Sequence, residues 1–324
     1  MQVKERPGAA RPLTCEVMES RPAWDYDAAM NTSTCANNTN IATATPVGGL
    51  LRTWRERRRL SQLELAGAAD ISARHMSFLE TGRSMPSRAM LLRLAERLEI
   101  PLRERNALLL AGGYAPMYAE RRLDDPALKQ ARKAIDLVLA GHAPYPALAV
   151  DRHWNLVSAN AMVGFMLAGV DASLMQPPVN VLRLGVHPRG LGPRVANYTQ
   201  WRAHTLTRLR QQIAATADPI LMELLAELES YPSSAAPDEA EHTDETADYG
   251  GVVVPFRLRT EHGILAFFGT TTVFGTPLDI TLAELAIESF FPADRYTTEL
   301  LNRIAREVTA PRSPESDSVS VLAG

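Results

Sequence analysis

Cysteine is scarce in this 324-residue chain, and its two cysteines, Cys15 and Cys35, both lie near the N-terminus. Their position argues against a disulfide framework or a thiolate metal site in the remainder of the chain. The chain also lacks an apolar run close to the roughly 20 residues that a membrane-spanning helix needs. Its first residues do not form the continuous apolar segment of a secretory signal. We therefore expect a cytoplasmic protein.

Signs of catalysis are equally scarce. The chain has no glycine-rich phosphate loop, and its histidines lack the spacing of a zinc-hydrolase helix and a partner cysteine. Glu284 and Glu288 stand four residues apart, but a solvated helix face explains them better than a paired acid and base. The sequence thus predicts a protein that is not an enzyme, with no metal ion and no cofactor.

Length and composition predict two compact domains, because 324 residues with 46% hydrophobic content exceed what one small core needs. Both ends mix polar and small residues without a sustained period, which is typical of disorder. Met30 is an alternative translation start. The predicted segments are a disordered extension (1–46), a DNA-binding domain (47–114), a linker helix (115–140), a second domain (141–305) with an acidic loop (232–249), and a disordered tail (306–324).

The stretch from 61 to 83, SQLELAGAADISARHMSFLETGR, has the pattern of two short helices joined by a tight turn. Ser61 caps the first helix in this interpretation, and Glu64, three residues later, returns the capping hydrogen bond. Ser72 caps the second helix, whose inner face holds Met76 and Leu79. The outward positions that remain can meet base-pair edges: Ala73, Arg74, His75, Ser77 and Phe78. For His75 alone, an exposed polar residue is the simpler interpretation.

Charge supports a nucleic-acid partner. Residues 48–114 contain twelve Arg, no Lys and seven Asp or Glu, a balance of +5, whereas the whole chain has a net charge of −3. A basic module on an acidic chain fits a protein that binds DNA through one domain and whose remaining surface does not bind DNA non-specifically. Ordinary scatter in composition gives the same balance, so charge alone does not decide.

The segment from Leu50 to Ala111 closely resembles the phage-repressor type of helix-turn-helix, the XRE or Cro/cI family. The matching residues are Arg55, Ser61-Gln62, Glu64-Leu65-Ala66, Ile71-Ser72 and Leu79-Glu80-Thr81-Gly82-Arg83. The resemblance implies an all-α, five-helix, lambda-repressor-like domain. Apolar spacing places its fourth helix after Pro86-Ser87 and its fifth at Leu102 to Ala111.

The same resemblance implies roles for individual residues. Gln62, Ser72 and Arg83 would lie along phosphates, while Ala73, Arg74 and Phe78 would face bases, and Thr81 lies in the matched run. A guanidinium offers a bidentate match to guanine O6 and N7, so Arg74 is the expected specifier. Phe78 departs from the polar residue often found there and instead offers a contact to a thymine methyl group. Arg55 and Glu80 would form a buried structural ion pair. A solvated side chain is the alternative for Gln62 and Arg83.

The second domain mixes strand and helix patterns, which favours an α+β, PAS-like sensor. A helix opens at Asp125-Pro126 and runs to about Ala140 with an apolar face. That face comprises Leu128, Ile135, Leu137 and Val138, and belongs to the second domain or to a dimer contact. Beyond it the predicted strands are 147–150, 155–159, 252–259 and 263–274, and the predicted helices are 160–168, 180–184, 195–216, 219–230 and 281–289.

A second resemblance covers about Tyr145 to Asp294. The segments DRHWNLVSANA, NVLRLGVHPRGL, YTQWRAHTLTRLRQQ and FFGTTTVFGTPLDITLAELAIESFFPAD are similar to the ligand-binding domain of MmyB-like transcription regulators. This resemblance implies a fatty-acid-like, apolar effector. Large apolar side chains and one cation are the candidate ligand contacts, although most such residues are ordinary core: Trp154, Met162, Phe165, Met166, Arg183, Trp201 and Phe267.

The sequence therefore predicts a sequence-specific transcription regulator that binds a double-stranded DNA operator and whose second domain binds the effector. A homodimer is expected, because paired modules reach half-sites about one helical turn apart. The alternative is a regulator whose second domain holds a protein partner, as an antitoxin or a sigma-factor partner would.

Overall fold

The computed structural model describes residues 46–232, 254–275 and 277–309. The predicted N-terminal extension, the alternative start, both cysteines, nearly all of the predicted acidic loop and the chain beyond residue 309 lie outside the described residues. Within them, no helix combines the length and the apolar character that crossing a membrane requires.

The N-terminal part is the predicted bundle of five helices: α1 (Val47–Arg57), α2 (Gln62–Ala68), α3 (Ala73–Glu80), α4 (Arg88–Arg97) and α5 (Leu102–Ala111). Ser87 caps α4 through a hydrogen bond from the Met90 amide, as expected from its position after Pro86. One apolar core joins the helices, with Leu51, Met76 and Leu94 fully buried at its centre. The all-α prediction for this domain is confirmed.

Residues 115–125 form an irregular strap between the two domains, and a 3-10 turn (Pro126–Leu128) leads from it into α6 (Lys129–Gly141). The inner face of α6 presents Ile135 and Leu139 to a small core on the sheet. Our prediction that Leu137 and Val138 belong to that face is wrong, because Leu139 takes the buried position of that turn. Leu137 is 64% exposed and Val138 47% exposed.

Five strands of the described residues form one antiparallel sheet in the order β2-β1-β5-β4-β3. The predicted hairpin near residue 150 is present, as is the predicted pairing of the two later strands. The strands are β1 (Ala147–Val150), β2 (Leu156–Ala159), β3 (Phe256–Thr260), β4 (Gly263–Val273) and β5 (Ala286–Pro292).

The predicted final helix at 281–289 is wrong. A short helix, α11 (Ile280–Ala283), begins after Asp279, whose carboxylate accepts the Thr281 amide, and the chain then becomes β5. The sequence TLAELAIES favours helix locally. Its second half nevertheless pairs with β1 on one side and β4 on the other, and this central place in the sheet overrides local preference.

Helices cover one face of the sheet: α7 (Ala161–Met166), α8 (Val181–Val186), α9 (Tyr198–Thr216), α10 (Pro219–Ser230) and α12 (Arg295–Thr309). Their buried side chains join those of the strands in the largest core of the protein. α12 extends four residues into the segment that we predicted as a tail, and Leu300, Leu301 and Ile304 anchor its preceding turns in that core. The second domain is therefore the predicted α+β, PAS-like sensor fold.

Candidate functional site

The helix-turn-helix is built by the local signals that the sequence contains. The Ser61 hydroxyl accepts the Glu64 amide at 3.1 Å, and the Glu64 carboxylate accepts the Ser61 amide at 2.7 Å, which completes the predicted capping box. The Ser72 hydroxyl accepts the His75 amide at 3.1 Å and so starts α3. Asp70 takes a positive φ of 53° in the turn, a conformation that aspartate tolerates better than most residues. These contacts fix the angle at which α3 leaves the bundle.

α3 turns Met76 and Leu79 fully into the core and leaves its other face accessible. Arg74 is exposed on that face, as are Ser72 at its start and Arg83 beyond its end. The remaining predicted DNA contacts are all exposed or half-buried: Gln62, Ala73, His75, Ser77, Phe78 and Thr81. The structure thus brings all nine predicted residues to an accessible surface, and their contacts to DNA stay a prediction.

A buried ion pair lies behind this surface. Arg55 Nε and Nη2 donate to the two carboxylate oxygens of Glu80 at 2.6 and 3.0 Å, and Arg55 Nη1 donates to the Leu60 carbonyl. The hydrogen bond to Glu80 raises the pKa of the Arg55 guanidinium. Gln62 joins the cluster, since its Nε2 donates to Glu80 at 2.8 Å. The cluster ties α1 and α2 to the end of α3.

A second group of contacts joins the helix-turn-helix domain to the sensor. Arg103 of α5 donates from Nε and Nη2 to the two carboxylate oxygens of Glu284, both at 2.9 Å, and also pairs with Glu120 at 2.6 Å. Burial lowers the pKa of Arg103, but the hydrogen bonds to Glu284 and Glu120 raise it above its ordinary value overall. We call this group of three residues the junction.

The strap reinforces the junction from both sides. The Asn106 carboxamide of α5 accepts the amides of Met117 and Tyr118 and donates to the Tyr118 carbonyl. Farther along, the Ala119 carbonyl accepts the Ile280 amide at 2.8 Å, and Arg121 pairs with the buried Asp279 at 2.9 Å. The strap is therefore hydrogen-bonded to both domains.

Further charged groups surround the junction on the sensor side. Arg152 Nη1 lies 3.6 Å from Glu284 and 3.9 Å from Asp218, which accepts a 2.9 Å hydrogen bond from His153 if that ring is the donor. Burial raises the pKa of Glu104, on α5, above its ordinary value. An open pocket of about 330 Å³ lies beside Arg152 and Glu284. Its lining residues are Val150, Asp151, Arg152, Trp154, Arg208, Gln211, Gln212, Glu284 and Ala286.

The predicted ligand contacts lie together in the sensor core. Trp154, Met162, Met166 and Phe267 are buried there, and Phe165 and Trp201 pack against them half-buried. The Trp154 indole N–H donates to Gln212 at 2.7 Å. Arg183, in contrast, lies in a bidentate pair with Glu227 at 2.6 and 2.7 Å. No group of three or more metal-ligating side chains occurs among the residues described.

Comparison with family models identifies both halves. A model described as MmyB-like transcription regulator ligand binding domain matches residues 131–304, more than half of the chain. The chain belongs to this family. In this MmyB-like regulator a second model, described as a helix-turn-helix domain, matches residues 46–108 and so covers α1 to most of α5. A search of curated proteins gave no match. The protein is a DNA-binding regulator with a ligand-binding domain.

Sequence reasoning missed the junction of the MmyB-like regulator. Arg103 and Glu284 are 181 residues apart, and no local pattern links them. Our interpretation of Glu284 as a solvated helix residue is wrong, because its side chain is only 20% exposed and both of its carboxylate oxygens accept hydrogen bonds from Arg103. The excess of arginine in the first domain was the only available signal, and it pointed to DNA rather than to the second domain.

Proposed function

We propose that this MmyB-like regulator binds a specific DNA operator and that a small apolar effector in its sensor domain modulates that binding. The observation that supports this proposal is the junction, where one arginine of the DNA-binding bundle is held by a carboxylate between α11 and β5 of the sensor. Modulation requires that the effector binds two arrangements of the domains with different affinity. A bonded contact across the domain boundary that differs between the two arrangements would carry such coupling, and the Arg103–Glu284 pair is placed to be that contact.

The DNA-binding side uses the accessible face of α3. Arg74 would read a base pair and Arg83 would contact a phosphate, with the other predicted residues around them. The protein acts as a homodimer on a roughly palindromic site, in which two recognition helices occupy half-sites one helical turn apart. Operator binding also implies a cytoplasmic location.

The effector side uses the apolar core around Trp154 and Met166, where large side chains from helices and strands converge. The MmyB-like family assignment and this apolar lining support a fatty-acid-like effector. We propose no cofactor and no catalytic step.

Leu137 and Val138 are apolar side chains exposed on the outer face of α6, and burying them against a second copy of the chain supports the homodimer. The same exposed face favours a second candidate function, in which the sensor holds a protein partner instead of a small molecule.

The function is tested in two steps. Operators are first selected from a random DNA library with the purified protein, and native mass spectrometry followed by lipid extraction then shows whether an apolar molecule co-purifies. A stoichiometric fatty acid that changes operator affinity supports the proposal. A protein that selects no sequence would refute the DNA-binding half, and one without an apolar molecule would favour the partner-protein candidate.

Two substitutions should separate base reading from phosphate binding. Arg74→Ala should weaken the selected operator by about 5- to 150-fold, because one bidentate base contact is worth about 1–3 kcal/mol, and should change binding to random DNA much less. Arg83→Ala should weaken both DNAs alike and reduce the slope of log Kd against log salt by about one phosphate contact. Fluorescence anisotropy at several salt concentrations measures both. If Arg74→Ala weakened binding to both DNAs equally, Arg74 would be assigned to the residues that contact phosphates rather than bases.

Breaking the junction should uncouple the domains. Coupling between two sites is typically about 5- to 150-fold in affinity, and we expect the effect of the extracted effector on operator Kd to fall toward onefold in Arg103→Gln and in Glu284→Gln. Operator titrations with and without effector measure it. Arg189→Gln is the matched control, since Arg189 pairs with Asp171 on the sensor surface and should leave coupling intact. If the effector changed operator Kd as strongly in both junction variants as in the wild type, the junction would not be what couples the two domains.

A further inference from the structure

Phe78 occupies an unusual place on the recognition surface. Its half-buried ring lies on the accessible face of α3, with the Arg74 guanidinium carbon 5.3 Å from the ring centre and the Arg83 guanidinium carbon 5.9 Å from it. Arg74 precedes Phe78 by one helical turn and Arg83 follows from the turn after α3. One aromatic ring is therefore within cation–π distance of two cations.

The backbone of Phe78 holds the second of these arginines in place. The Phe78 carbonyl accepts the amides of Arg83 and Ser84 at 2.9 and 3.2 Å, which closes the turn after α3. The Thr81 hydroxyl donates to the Ser77 carbonyl at 2.7 Å and tightens the same turn. Arg83 thus returns to the side of α3 that contains Phe78, although it lies beyond the helix end.

In the part of the chain that the structure describes, neither guanidinium is anchored elsewhere. Among the described residues, the side chains of Arg74 and Arg83 form no hydrogen bond and no ion pair. Each guanidinium instead lies over the Phe78 ring. Long free arginines lose rotamer entropy when DNA immobilises them, and a partner that restricts them beforehand reduces that cost. The negative face of an aromatic ring attracts both cations without neutralising either, so both remain available to DNA.

We propose that Phe78 is a positioning residue, whose ring orders Arg74 and Arg83 together on the DNA-facing surface, so that one side chain supports both the base contact and the phosphate contact. This inference rests on the proposed function. It replaces the simple contact to a thymine methyl group as the main role of Phe78. An aliphatic side chain of similar size offers the same apolar surface to a methyl group but lacks the ring quadrupole that attracts a cation.

The test compares Phe78→Leu with Phe78→Tyr in the full chain, using an operator selected by the wild-type protein and a random duplex. Phe78→Leu should weaken operator binding by about 5- to 30-fold, because DNA would then have to order both arginine side chains itself, whereas Phe78→Tyr should stay within about threefold of wild type. Phe78→Leu should also weaken the random duplex, since it loosens Arg83. Equal thermal unfolding midpoints would show that both variants remain folded.

A double-mutant cycle shows whether Phe78→Leu weakens DNA binding through Arg74 and Arg83. In the background of Arg74→Ala with Arg83→Ala, Phe78→Leu should have almost no further effect on either DNA. Undiminished loss in that background, or loss confined to operators with one particular A·T pair, would overturn the inference and restore direct base reading by Phe78. If the wild-type protein selects no operator, the proposed function fails instead, and the random duplex still tests the Arg83 half of the inference.

Discussion

Glu80→Gln should destabilise the DNA-binding domain by about 3–5 kcal/mol, the usual cost of removing one partner from a buried ion pair. The Glu80 side chain is only 2% exposed and accepts three hydrogen bonds, two from Arg55 and one from Gln62. Glutamine keeps the shape but replaces one acceptor oxygen by an NH₂ group and leaves the Arg55 charge uncompensated in the interior. Urea unfolding followed by circular dichroism measures the loss.

Arg52→Gln is the matched control for this prediction. Arg52 lies on the same helix as Arg55 and pairs with Glu56 at 2.8 Å, but the side chains of Arg52 and Glu56 are both more than half exposed to solvent. Exposed pairs of this kind contribute little, so the unfolding midpoint should barely move. Similar midpoints for Glu80→Gln and Arg52→Gln would contradict the structural role of the buried pair. A loss of operator binding by Glu80→Gln at temperatures where it remains folded would instead indicate a direct role in DNA recognition.

Phe267→Ala should cost the sensor domain about 3–5 kcal/mol, the usual range for removing a fully buried phenyl ring. Phe267 lies in β4 with no exposed surface, and its ring contacts Phe256 and Phe290 at centroid distances of 6.4 and 6.3 Å. The substitution leaves a cavity that the surrounding sheet and helices fill only in part. Differential scanning calorimetry of the full chain measures the shift of the sensor transition.

The neighbouring residue provides the control. Phe268 points to the other face of β4, where it is half-buried and stacks on Phe291 at 5.3 Å. Phe268→Ala removes the same number of atoms and should cost distinctly less, since less of its surface is withdrawn from water. Equal destabilisation by the two substitutions would contradict the assignment of the main core to the face of Phe267.

The DNA-binding domain was predictable because its signals are local. Ser61 with Glu64 and Ser72 with the His75 amide are contacts across three residues, and such short-range caps are read directly from spacing. The burial of Met76 and Leu79 follows equally from helical periodicity. Contacts between residues within one or two helical turns are therefore predictable from the sequence, and these contacts define the five helices.

Long-range contacts determine the parts that were not predictable. The segment 286–292 became a central strand because β1 and β4 flank it, and β1 is far away in the sequence. Arg103 and Glu284 meet only where one domain packs on the other, 181 residues apart in the sequence. The candidate effector residues show a third limit, since an apolar side chain such as Met162 gives the same sequence signal whether it packs against protein or against a ligand.

The strap between the domains has a consequence for the length of DNA that the protein can span. A flexible tether lets two DNA-binding units tolerate many separations, because its end-to-end distance varies widely. Here the strap is hydrogen-bonded to α5 through Asn106 and to the sensor through Ala119 and Arg121, so within one arrangement of the domains α3 keeps a fixed offset from its sensor. In a dimer held together by its sensors, the distance between the two recognition helices is then a property of the folded protein. Operators with base pairs inserted or deleted between their half-sites should therefore be rejected, even when every base that the protein reads is retained.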